Sequence, residues 1–79
     1  MNADFIADSI RLKREINMAL AVSCFMDKFS LLDKIAEIIS KYSDSFPAVE
    51  KLKNIVVYGA NLMRKEEIIQ RTSAIIREE

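Results

Sequence analysis

Seventy-nine residues with no histidine, no tryptophan, one cysteine and one glycine leave little room for chemistry. The common serine and cysteine triads need an imidazole, zinc and carboxylate-bridged di-iron sites draw on histidine or several cysteines, and phosphate-cradling loops need more glycine than Gly59 alone supplies, so all are excluded. Twelve basic residues balance twelve acidic ones with the signs interspersed, so no whole-protein field draws the chain to nucleic acid or to an anionic membrane.

No glycine or proline precedes Pro47, and the apolar residues recur at helical spacing, which predicts an all-α fold. The expected architecture is a single helical domain over 1–79: a three-helix bundle with helices at about 2–24, 31–42 and 47–77, or alternatively a long two-helix hairpin. At 51% hydrophobic, with pairs such as Leu31-Leu32, Ile38-Ile39 and Ile75-Ile76, the chain holds more apolar surface than three short helices hide, so completion by oligomerisation is expected.

The first helix carries Phe5, Leu12, Ile16, Ala19, Leu20 and Cys24 on one face, and Asn2 or Asp4 can cap its start. Ala21-Val22-Ser23-Cys24 loosely matches a bacterial lipoprotein cleavage box. That box wants a large aliphatic residue where Ala21 stands, and Asp4 and Asp8 spoil a cationic leader, so Cys24 is expected as a small buried hydrophobe in a reducing compartment. The uncharged run from Ile16 to Met26 is too short to span a bilayer, and no membrane role is expected.

Around Phe25 to Ser30 the apolar stripe changes phase, which predicts a break. Ser30-Leu31-Leu32-Asp33 reads as a capping box opening a second helix, with Leu31, Leu32, Ile35, Ile38, Ile39 and Tyr42 facing inward. Tyr42 to Phe46 is rich in small polar residues and forms the turn, and Pro47 fits the first position of the next helix. That third helix turns Val49, Leu52, Ile55, Val56, Leu62 and Met63 inward, with Gly59 and Ala60 allowing a close crossing.

At about 100° per residue, the apolar set from Leu52 to Met63 and the later set Ile68, Ile69, Ile75 and Ile76 point roughly 150° apart. One straight helix cannot aim both at one core. Either the helix kinks near Arg64 to Glu67, where four charged residues interrupt the stripe, or its C-terminal turns reach a second subunit or partner; that segment contains neither proline nor glycine to cause a kink, so Ile68, Ile69, Thr72, Ile75 and Ile76 are expected as a partner-binding face.

The function expected from these features is a cytoplasmic, non-enzymatic protein–protein interaction module, such as a small adaptor, chaperone or regulatory subunit, acting through an apolar helix face. Its partner is itself, as a homodimer or higher oligomer, or a partner helix; no cofactor or metal is implied. A small dimeric DNA-binding regulator is the first alternative, but the helix after Pro47 offers only Lys51, Lys53 and Asn54 as donors, so nucleic acid is disfavoured. A histidine-free helical enzyme is the second, with Arg11, Arg14, Lys34, Glu37, Glu66 and Gln70 as the residues available for electrostatic catalysis.

Overall fold

The computed structural model describes residues 3–78. They form four helices: α1 (Ala3–Ala21), α2 (Lys28–Ile39), α3 (Pro47–Leu62) and α4 (Lys65–Arg77). A 3-10 turn, Ser23–Phe25, follows α1, and no strand occurs among the described residues. The all-α expectation holds, whereas the third helix expected over 47–77 is two helices. The cap expected from Asn2 or the Asp4 side chain lies outside the described residues.

Contacts at the helix ends set the directions. Phe5, near the start of α1, meets Phe46, just ahead of α3, edge to face with ring centroids 4.5 Å apart. Lys28, the first residue of α2, donates to the carbonyls of Ala60 and Met63 at the far end of α3, at 2.6 and 3.1 Å. Lys51, near the start of α3, pairs with Glu78 after α4. Consecutive helices are therefore antiparallel, and α1 packs on α4 to close an up-down-up-down ring about 37 × 21 × 20 Å in extent.

Each helix contributes a buried stripe. Leu12, Ile16 and Ala19 come from α1; Leu31, Leu32, Ile35, Ile38 and Ile39 from α2; Ala48, Val49, Leu52, Ile55 and Gly59 from α3; and Ile68, Thr72 and Ile76 from α4. Gly59 sits where three helices converge. A Cβ placed there would come 3.0 Å from a Leu32 methyl of α2 and 3.3 Å from an Ile68 methyl of α4, so the missing side chain sets how closely these helices approach.

The break after α1 comes where the apolar phase changes, but its cap differs from the expected one. Asp27, extended at φ −76°, ψ 174°, accepts the backbone N–H of Ser30 at 2.8 Å, so α2 begins at Lys28 and Ser30 lies in its first turn. That donated bond holds the Asp27 carboxyl below the usual carboxylate range. An aspartate three residues before a free N–H competes with serine for the same geometry, and here it wins because the 3-10 turn already ends at Phe25.

The second break corrects the continuous third helix. Met63 (φ −126°, ψ 147°) and Arg64 (φ −81°, ψ 160°) are both extended, which re-aims the chain so that Ile68, Thr72 and Ile76 point into the same core as Leu52 and Ile55. No local helix breaker is needed, because interior burial of those side chains outweighs the few backbone hydrogen bonds lost. The exposed ends are partly compensated: Lys28 satisfies carbonyls at the end of α3, while Glu66 and Glu67 sit in the first turn of α4, and Arg77 in its last, with charges suited to the helix dipole.

Candidate functional site

The residues expected to bind a partner are placed otherwise. Ile68, Thr72 and Ile76 are buried in the protomer's own core and present no surface, while Ile69 and Ile75 are half-buried and pack against that core. Ile68, Thr72 and Ile76 are thereby corrected from an outward face to the interior of the protomer, because the bend at Met63 and Arg64 supplies the change of direction within one chain.

The side chains available for catalysis do not converge. Arg11 and Arg14 line an open depression with Asp8, Glu15, Lys41 and Tyr42. Glu66 and Gln70 line another at the corner between α3 and α4, and Lys34 pairs with Glu37 on the exposed face of α2. Within the first depression, Glu15 accepts hydrogen bonds from Lys41 and from the Tyr42 hydroxyl. These two donors, the Lys41 ammonium foremost, hold the Glu15 carboxyl below the usual carboxylate range. Burial, and then the neighbouring Glu15 carboxylate, pushes the Tyr42 phenol up. Both shifts move away from neutrality, so the pair stays as carboxylate and phenol and ties α1 to the chain after α2; it is not poised to exchange protons. Among the described residues there is no cluster of His, Cys, Asp or Glu able to hold a metal ion.

The donors considered for DNA are also occupied. Lys53 pairs with Asp44 and Lys51 with Glu78, which leaves Asn54 as the polar side chain of that trio without such a tie. No helix among the described residues is long and apolar enough to cross a membrane.

The surface feature that stands out is the outward side of α1. Ile6, Ile10, Met18 and Val22 are exposed, at 49, 52, 65 and 45%, and they recur every fourth residue with Arg14 between Ile10 and Met18. Val22 stays on this line because its N–H still bonds to the Met18 carbonyl one turn back. Residues four apart form a ridge on a helix surface, so this row of five is the kind of ridge that fits the groove of another helix. A shallow depression beside it is lined by Ile10, Lys13, Arg14, Asn17, Met18 and Ala21. Phe25, 88% exposed, extends the apolar surface past the end of α1.

Periodicity of the sequence predicts the inward stripe of α1 but not this second one. The position of Ile6 and Ile10 about 80° to 160° round the helix from Leu12 and Ile16 is the available signal. Cys24, expected in the core, is exposed in the turn after α1, on the same helical line as the exposed Ile6 about five turns earlier. No protein-family model matches this chain, and no curated protein or solved structure matches it.

Proposed function

We propose that this chain is a non-enzymatic helical interaction module, of the adaptor, chaperone or regulatory-subunit kind, that works through the outer face of α1. The observation that carries this reading is the ridge of Ile6, Ile10, Met18 and Val22, four large apolar side chains held in line on a helix whose opposite side already fills the core. Each half-exposed side chain that a second surface covers returns on the order of 1 kcal/mol before the costs of association. An exposed free thiol at Cys24 suits the cytoplasm, where such groups stay reduced.

The covering surface is either a second copy of this chain or a helix of another protein. The test compares wild type with an Ile10→Asp, Met18→Asp double variant. These positions lie outside the core, so the variant keeps its helical circular dichroism. Association, read as light-scattering mass or as a partner recovered from the native host, is expected with wild type and lost with the variant. Equal association by both proteins, or none by either at high micromolar concentration, overturns the reading. The DNA-binding alternative has less support, because the chain carries no net charge and Lys51 and Lys53 each lie beside a carboxylate on the protomer's surface.

A further inference from the structure

We infer that the partner of α1 is an amphipathic helix from another protein that carries a carboxylate at the middle of its apolar stripe, rather than a second copy of this chain. The inference rests on the interaction reading above and adds the chemistry of the occupant.

The ridge from Ile6 to Val22 is apolar except at its midpoint, where Arg14 stands. Among the described side chains of α1, Asp8 pairs with Arg11 and Glu15 with Lys41. Arg14 and the adjacent Lys13 are exposed and form no ion pair or side-chain hydrogen bond among the described residues. The face therefore offers an apolar row with uncompensated positive charge at its centre.

That placement excludes the simplest self-assembly. In a two-fold dimer built on one ridge, both the parallel in-register arrangement and the antiparallel arrangement centred on the ridge set Arg14 against Arg14. Closing such an interface would desolvate two guanidinium groups side by side, an arrangement that interfaces avoid as like-charge juxtaposition. An anionic lipid surface is a poor fit for a different reason: interfacial helices keep cations on the polar face beside the apolar one, whereas Arg14 interrupts the apolar row itself. A helix with one aspartate or glutamate at the matching central position fits both features, since a carboxylate can accept two guanidinium hydrogen bonds while apolar neighbours pack on Ile10 and Met18.

The row from Ile6 to Val22 covers about 24 Å along the axis, so a partner of about 18 residues matches it. The probes are two synthetic helices of that length with one leucine stripe, carrying either glutamate or lysine at the central stripe position, titrated by fluorescence anisotropy against the full chain. At low salt the glutamate peptide should bind about tenfold tighter or more, and the preference should shrink as salt is added. Arg14→Glu should reverse the preference, and Met18→Asp should abolish binding of both peptides while leaving the melting curve unchanged. Equal affinity for the two peptides, or binding of neither, overturns the proposal. So does an oligomer that Met18→Asp disperses, although that result leaves the α1 interaction reading standing with a second copy as occupant. Binding to phosphatidylserine vesicles that depends on Arg14 overturns it in favour of a membrane.

Discussion

Among the described residues, Thr72 is the one whose buried side-chain oxygen lacks a hydrogen-bond partner. It is completely buried, one helical turn from Ile68 on one side and Ile76 on the other. Replacing it with valine keeps the β-branched shape and the helix propensity and exchanges an unsatisfied hydroxyl for a methyl group. A buried polar group without a partner costs about 1–3 kcal/mol, so Thr72→Val should stabilise the protein by about 1–2 kcal/mol. In a chain of this size each kcal/mol shifts Tm by about 4–8 °C, which puts the expected rise at about 5–15 °C. Thr72→Ser is the matched control: it keeps the hydroxyl and deletes the methyl, so it should cost about 1 kcal/mol through a small cavity. Urea and thermal unfolding followed by circular dichroism report both, with an unchanged urea dependence showing that the unfolded state is not the cause. If Thr72→Val destabilises the protein, the hydroxyl is bonded in solution, for instance to the Ile68 carbonyl one turn back, and the reasoning fails.

Three further outcomes follow from the packing and the ion pairs. Gly59→Ala gains about 1 kcal/mol of helix propensity but forces a methyl to within 3.0 Å of Leu32 and 3.3 Å of Ile68, so overpacking of about 1–3 kcal/mol should win and the net cost should be about 1 kcal/mol. Stabilisation by the full propensity difference would show instead that those two side chains give way freely. Ile68→Asp places a carboxylate at a fully buried position and should unfold the chain outright, with loss of the helical signal at every protein concentration; a folded variant that has only lost an interaction would restore Ile68 to an interface. Glu15, whose carboxyl lies below its ordinary value of 4.5 because of Lys41 and then Tyr42, contributes stability that is present above that pH and lost as the pH falls through the lowered folded value. Glu15→Gln should therefore be less stable than wild type at neutral pH, and the two unfolding curves should converge on acidification; a gap that stays constant to the acid end would mean that the carboxylate's charge is irrelevant.

Local pattern was enough for much of this molecule. The inward face of α2, from Leu31 to Ile39, and the start of α3 at Pro47 could be read directly, because helical spacing and a proline that fits only a first turn act within a few residues, although α2 ends at Ile39 rather than at Tyr42. The buried face of α1 was legible for the same reason. Periodicity also detected that the residues after Glu67 point away from those before Met63. It could not say how the chain resolves that conflict, since nothing in Arg64 to Glu67 breaks a helix. Only the assembled bundle decides it: two extended residues let Ile68, Thr72 and Ile76 reach the same interior as Leu52 and Ile55, and burial of that many apolar atoms exceeds the cost of a helix interruption whose carbonyls Lys28 partly satisfies. The candidate interaction surface was hidden by the same limit. Spacing shows one inward stripe on α1, whereas the second row is apparent only once α2 and α4 pack against Leu12 and Ile16 and leave Ile6, Ile10, Met18 and Val22 outside. Periodicity is a property of one helix, whereas burial is a property of the helices that pack on it.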